Sequence, residues 1–309
     1  MTIFAMVFPG QGSQTIGMFS ELAANYALVE KTFSEASAVL GYNLWQCVQK
    51  GSAEELNKTW VTQPALLASS VAVWRVWKQQ GGQMPALMAG HSLGEYSALV
   101  CAGSLDFTTA ISLVALRGKL MQNAAPVGTG AMSAIIGLDD NSVFSACEQA
   151  AQGQIVSPVN FNSPGQIVIA GHKEAVERAN LACKKAGAKR TVTLPVSVPS
   201  HCALMKPAAE KFAKILEKVT FTSPKIPVIN NVDVRVEKNP MAIRQALVRH
   251  LYSPVRWTET VEFLISQGVE VLVELGPGKT LIHLTKRINS KLLGEAVNDP
   301  ASLAAAIKH

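Results

Sequence analysis

Ala86-Leu87-Met88-Ala89-Gly90-His91-Ser92-Leu93-Gly94-Glu95-Tyr96 reads as an apolar strand, a tight turn and the opening of a helix. Ala86 to Ala89 is a short uncharged run typical of a buried strand, and Leu93 to Cys101 follows as a helix stopped near Gly103. Between them stands the pattern G-x-S-x-G, Gly90 to Gly94. In that setting it describes a nucleophile elbow, in which a sharp strand-to-helix turn exposes the serine hydroxyl. Small residues at 90 and 94 avoid clashes with Ser92, and the helix N-terminus favours negative charge developing beside it. The pattern alone is common by chance; strand before and helix after make Ser92 a candidate nucleophile.

Outward from this turn the alternation continues. Ile3 to Phe8 reads as a strand, Ala65 to Gln80 as a helix ended by Gly81 and Gly82, and Thr108 to Asn123 as another helix. Ile226 to Asn230 and Val269 to Leu275 read as strands, each followed by helical stretches. Strands alternating with helices form a mainly parallel sheet covered on both faces, so the expected fold class is α/β. The middle of the chain has a different order. Ala131 to Leu138 is a strand, Asp139 to Ala151 a helix with Asp139 or Asp140 available as its N-cap, and Ile155 to Asn160 a strand. After the turn Asn162-Ser163-Pro164-Gly165 come a strand from Gln166 to Ala170, a helix from Lys173 to Ala186 closed by Gly187, and a strand from Arg190 to Val196. The order β-α-β-β-α-β is that of a ferredoxin-like unit. We expect residues 125–198 to form a small domain inserted into a larger α/β domain made of 1–124 and 199–309.

Composition excludes several classes. The chain has 309 residues, 48% hydrophobic and 16% charged, and its mean hydropathy is +0.20, values of a compact globular protein rather than a disordered one. No self-similar period of about 20 to 50 residues marks it as a solenoid. The long uncharged stretches 120–138 and 149–172 are broken by proline, glycine and asparagine, so no spanning helix is expected. Ile3 to Phe8 has no preceding Lys or Arg and runs into Pro9-Gly10, unlike a signal peptide. Five widely spaced cysteines without a C-x-x-C pair or zinc pattern favour reduced thiols in a cytoplasm. Of the net charge of +6, the excess sits in 199–309, with 15 basic and 10 acidic side chains. Without a compact basic run this is a poor nucleic-acid footprint; it suits an anionic ligand, an acidic protein partner or an ordinary solvated surface.

A serine nucleophile needs a base. Among six histidines, His201 lies in a turn-like stretch, Val198-Pro199-Ser200-His201-Cys202, where the inserted domain returns to the main one. It leads His250 modestly. His91 faces away from Ser92 by alternation, His172 fits a helix N-cap, His283 lies mid-helix and His309 is terminal. No Asp or Glu announces itself as a triad acid. Two glycine loops are near-misses: Gly10-Gln11-Gly12 has Thr15 where a dinucleotide loop needs glycine, and Gly278-Lys279-Thr280 has Val273 where a phosphate loop does. Both are expected as tight strand-to-helix turns. Arg117, among Ala115, Leu116 and Leu120, either snorkels to the surface or holds a substrate carboxylate.

Phe8-Pro9-Gly10-Gln11-Gly12-Ser13-Gln14, Thr62-Gln63-Pro64-Ala65, Gly90-His91-Ser92-Leu93-Gly94-Glu95-Tyr96, Arg117-Gly118, Asn160-Phe161-Asn162-Ser163-Pro164, Pro199-Ser200-His201 and Glu274-Leu275-Gly276-Pro277-Gly278 follow in that order. Over essentially its whole length the chain resembles the bacterial malonyl-CoA:acyl carrier protein transacylases of type II fatty acid synthesis. The resemblance implies an α/β-hydrolase-like core with a ferredoxin-like small domain, and a malonyl group passed from malonyl-CoA to the phosphopantetheine thiol of acyl carrier protein through a malonyl-serine. It implies Ser92 as nucleophile, His201 as base, the amides of Gln11 and Leu93 as oxyanion hole, and Arg117, with Gln63 and Asn162, as substrate-binding residues. The histidine is oriented in this family by a backbone carbonyl near position 250. Glutamine is usual there, whereas this chain has His250; any residue supplies a carbonyl, so the role is expected to survive, while a second imidazole near the site can lower the pKa of His201. Modular polyketide acyltransferases often mark malonyl selection by phenylalanine before the histidine; Ser200 stands here, as in the stand-alone bacterial enzymes. No metal or cofactor, no nucleic acid and no membrane is implied, and a cytoplasmic monomer is expected. The runner-up is a serine esterase or thioesterase using the same elbow. Lys286 and Arg287 are candidates for docking the acidic carrier.

Overall fold

The structure, a computed structural model, describes residues 2–126, 128–196 and 198–308; His309 lies outside them. The first strand, β1 (Phe4–Phe8), is buried along its whole length. Its alternate residues feed two cores: Phe4, Met6 and Phe8 enter one apolar cluster, Ala5 and Val7 another. A strand apolar on both faces belongs inside a parallel sheet with helices on either side.

Helices α1 (Ser20–Asn25), α2 (Leu28–Leu40), α3 (Leu44–Lys50), α4 (Ala53–Leu56) and α5 (Thr59–Gln79) follow, then β2 (Leu87–Gly90), α6 (Gly94–Cys101) and α7 (Phe107–Ala124). A second group comprises β3 (Gly130–Ile136), α8 (Asp140–Ala151), β4 (Val156–Ser163), β5 (Gln166–His172), α9 (Lys173–Lys185) and β6 (Arg190–Thr193). The chain ends with α10 (Lys206–Leu216), β7 (Val228–Ile229), α11 (Pro240–His250), α12 (Trp257–Ser266), β8 (Val271–Leu275), α13 (Thr280–Ile288), β9 (Leu293–Val297) and α14 (Pro300–Ala306). The expected mixed α/β class with a parallel sheet is present. One sheet, ordered β7-β2-β1-β8-β9, is parallel throughout. The other, ordered β4-β5-β3-β6, is antiparallel.

The antiparallel sheet lays one face on α8 and α9 through Ile135, Ile167 and Ile169, with Val143 and Val176 opposite. Its other face carries Met132, Val168 and Ala170 toward Cys202 at the start of the returning chain. Residues 198–205 thus join the antiparallel sheet, through Cys202, to the first core, through Val198 and Met205.

Several boundaries depart from the sequence reading. Helix α5 begins at Thr59, not Ala65, and contains Pro64. An interior proline forfeits a hydrogen bond and costs about 3 kcal/mol, but nearly every side chain from Thr59 to Trp77 is buried, which outweighs it. Asn162 and Ser163 belong to β4 rather than to a turn. Ser163 pairs with Gln166, leaving Pro164-Gly165 as a two-residue connection with Gly165 at φ 70°. Strand β6 stops at Thr193, and β7 has two residues instead of five. No helix directly follows Phe8-Pro9-Gly10; the chain loops to Ser20.

Candidate active site

Ser92 sits between β2 and α6 at φ 51°, in the left-handed region that serine seldom adopts. Backbone packed on backbone at both ends forces this shape. A Cβ on Gly90 would lie 1.9 Å from the Gly94 carbonyl carbon, and one on Gly94 2.0 Å from the Phe8 carbonyl oxygen in β1. Only glycine permits that approach. Helix α6 therefore starts hard against β1, and the serine is pushed out at the carboxyl ends of the central strands, where open α/β sheets hold their ligands.

Ser92 Oγ lies 2.8 Å from His201 Nε2. His201 Nδ1 donates to the His250 carbonyl oxygen at 2.7 Å, so the neutral ring leaves Nε2 free to accept the serine proton. His201 is also left-handed, at φ 63°, and its amide is tied to the Leu251 carbonyl at 3.0 Å. Burial, and then the positive charge of Arg117, push its pKa down to about 3; His91 adds to this and the His250 carbonyl opposes it. The imidazole of His250 lies 4.9 Å from that of His201; burial, then His201 and Arg117, hold it well below the usual histidine range. What reaches His201 is the carbonyl.

Arg117 does not snorkel. It is 2% exposed, its Nη1 donates to Gln63 Oε1 at 2.9 Å, and its guanidinium carbon lies 5.4 Å from the centre of the Tyr96 ring. Its Nε and Nη2 are buried with no hydrogen-bond partner among the described residues. A buried donor left unmet costs about 1–3 kcal/mol, so this group is arranged for an acceptor that comes from outside. A cavity of about 100 Å³ joins Arg117 to Ser92, His201 and Gln11, and is closed from the antiparallel sheet by Met132 and Asn160. The amides of Gln11 and Leu93 are taken up by no hydrogen bond among the described residues. The Ser92 amide, in contrast, donates to Asn231 Oδ1 at 3.0 Å.

Of the residues expected at the site, Ser92, His201, Arg117, Gln63, Gln11 and Leu93 converge on this cavity, and His250 supplies its carbonyl from below. Asn162 is not part of the lining. Its Oδ1 bonds His91 Nε2 at 2.8 Å, because the bulged register of β4 presents Asn160 to the cavity instead. Gln63 meets Arg117 and, through Nε2, the Met121 sulfur at 3.7 Å. His172 precedes α9 without capping it; its Nδ1 accepts from the Ile155 amide at 2.9 Å. The apparent end of a phosphate loop is filled from within: Glu274 accepts from the amides of Leu281 at 3.2 Å and Ile282 at 3.0 Å, taking the anion seat at the start of α13. Larger open grooves, between α8 and α9 and beside the end of α6, hold no histidine. Lys286 and Arg287 are exposed on α13, where Arg287 Nη1 reaches Gln166 Oε1 at 2.5 Å. Sequence reasoning missed Glu95 and Asn231, both buried below the elbow. Glu95 could have been suspected as a charged residue within an apolar helix opening, but nothing along the chain connects it to a residue 136 positions away.

Residues 5–302 match the model of the acyl transferase domain family. The chain is 69% identical over 307 residues, 99% of each chain, to a malonyl CoA-acyl carrier protein transacylase of Salmonella typhimurium. It is similar to the crystal structure of an acyl carrier protein S-malonyltransferase from Vibrio cholerae, at 66% identity and TM-score 0.96 over 98% of this chain and 99% of that one. It is also similar to a malonyl-transacylase in complex with its type II PKS acyl-carrier protein, at 67% identity and TM-score 0.99 over 99% of both chains.

Proposed function

The chain belongs to the acyl transferase family, among the malonyl-CoA:acyl carrier protein transacylases, and on that premise we propose that it moves malonyl from malonyl-CoA to the phosphopantetheine thiol of acyl carrier protein in fatty acid synthesis. One observation carries the substrate: the two unpartnered donors of buried Arg117 share a cavity with the Ser92–His201 pair. A malonyl thioester is an acyl group with a carboxylate, and a guanidinium fork matches that carboxylate in charge and geometry.

His201 Nε2 takes the hydroxyl proton as Ser92 Oγ attacks the thioester carbonyl, and the amides of Gln11 and Leu93 receive the developing oxyanion. The tetrahedral intermediate collapses, the carbon–sulfur bond breaks, and CoA leaves as the thiol with the proton from His201. The carrier thiol then gives its proton to His201 and attacks the malonyl-serine carbonyl; the ester C–O bond breaks and His201 returns the proton to Ser92 Oγ. These steps use only the chain and its two substrates. Five free cysteines fit a reducing, cytoplasmic setting.

The nucleophile turn after β2 supports reading residues 1–124 and 199–309 as an α/β-hydrolase-like core. The strand order β4-β5-β3-β6 with α8 and α9 on one face supports a ferredoxin-like domain over 125–198. Excess positive charge in the last third suits an acidic carrier, with Lys286 and Arg287 as docking candidates.

Mass spectrometry after malonyl-CoA tests the reading: a malonyl adduct is expected on Ser92 and lost in Ser92→Ala. An adduct that persists in Ser92→Ala overturns it, and rapid release of free malonate without carrier favours the esterase.

A further inference from the structure

The carbonyl of Gly90 and the amide of Ser92 lie on either side of His91, and both are bonded to one side chain. Asn231 Nδ2 donates to Gly90 O at 2.7 Å, and Asn231 Oδ1 accepts from Ser92 N at 3.0 Å. Asn231 is itself fixed by Glu95 on the first turn of α6, whose Oε2 accepts from the Asn231 amide at 2.9 Å and from Nδ2 at 2.7 Å. The asparagine is 1% and the glutamate 2% exposed. Asn231 comes from beyond β7, brought alongside by the pairing of Ala89 with Ile229. The acyl transfer chemistry uses neither side chain.

We propose that Glu95 and Asn231 form a clamp that holds the left-handed turn of Ser92 and so fixes its hydroxyl against His201 Nε2. They are positioning residues, and this role rests on the malonyl-transfer reading above. A carboxamide suits the task because it carries an acceptor and a two-proton donor in one plane, one for each face of the turn. Aspartate lacks the donor. Without the clamp the elbow has two unmet backbone groups and a φ that serine avoids, so it relaxes away from the geometry His201 needs. A displacement of about 1 Å at a reacting atom can lower a rate about 100-fold. Neither clamp side chain hydrogen-bonds Arg117 or the oxyanion amides, so the loss should fall on rate more than on substrate affinity; Glu95 also faces His250 Nδ1 at 3.5 Å.

The test is the first half-reaction, serine malonylation by malonyl-CoA without carrier, in wild type, Asn231→Ala, Glu95→Ala and Glu95→Gln. Asn231→Ala and Glu95→Ala should lower the maximal acylation rate by roughly 10- to 100-fold with KM changed less than about 3-fold. Glu95→Gln, whose amide oxygen can still accept from Asn231, should recover most of the rate. An acylation rate within about 3-fold of wild type in Asn231→Ala, measured on protein shown to be folded by circular dichroism, overturns the clamp. So does a loss confined to thermal stability or to KM, or a Glu95→Gln variant as slow as Glu95→Ala. If Asn231→Ala does not fold, the paired glutamate variants decide. Absence of an adduct in wild type would defeat the functional reading itself, which separates the two failures.

Discussion

At the scale of single residues the site is set by what burial does to charge. His201, buried beside Arg117, is kept neutral, and a neutral imidazole with one nitrogen committed to a carbonyl is a base with a defined accepting atom. Arg117 stays charged and underpaired. Arg117→Ala removes a charge-assisted interaction of about 1.5–3 kcal/mol with the malonyl carboxylate and leaves an apolar pocket. The kcat/KM for malonyl-CoA should fall about 10- to 150-fold while that for acetyl-CoA changes little. Comparing the two substrates checks this; an unchanged ratio would make the arginine structural.

At the scale of elements, the elbow depends on how closely α6 approaches β1. Gly94→Ala places a methyl group where the Phe8 carbonyl oxygen already lies, and backbone on both sides leaves little room to yield. Such overpacking costs about 1–3 kcal/mol, occasionally more. We expect urea denaturation to show a loss of at least about 2 kcal/mol, together with slower Ser92 acylation, since the helix must move away from β1. Stability equal to wild type would mean that α6 adjusts freely. The positive φ of Ser92 and the clamp from Asn231 belong to this same junction.

At the scale of the whole molecule, buried ionisable groups of opposite sense govern the response to acid. His91, His201 and His250 are all held below the ordinary histidine value of 6.5, chiefly by burial. Below that pH the unfolded chain binds protons at them that the folded chain does not, so each reduces stability as pH falls, by up to about 1.4 kcal/mol per pH unit. Glu95 and Glu274 act oppositely. Burial raises each from 4.5 to about 7, so between those values the folded state binds the extra proton and stability rises as pH falls. The histidine losses and the glutamate gains oppose each other from about pH 6.5 to 4.5, which leaves at most a shallow net decline. Below about 4.5 the unfolded glutamates also protonate, the offset disappears, and carboxylates such as Asp233, held low by Arg249, add to the loss. Thermal unfolding midpoints should therefore drift down slowly to about pH 4.5 and steeply below it. A steep fall already between 6.5 and 5 would show that the two glutamates are ionised in the folded protein.

What the sequence determined by itself was the kind and order of elements and the identity of the nucleophile. Both are local. The two-sided apolar pattern of β1, the strand-turn-helix around Ser92 and the β-α-β-β-α-β order each depend on residues a few positions apart. Edge elements were harder to read. Strand β9, half-exposed and containing Gly294, has little of the apolar pattern that marks the interior strands, and α5 runs through Pro64 because its surroundings, not its propensity, decide. The pairing of Ser92 with His201, 109 residues away, was only foreshadowed by the turn-like stretch around His201 at the domain junction; family resemblance singled it out over His250. Tertiary packing decided that Arg117 faces the cavity, that Asn160 rather than Asn162 lines it, and that Asn231 and Glu95 bond to the elbow. Each is a contact between distant segments, fixed by strand register and desolvation, which come into being only when the sheets are assembled.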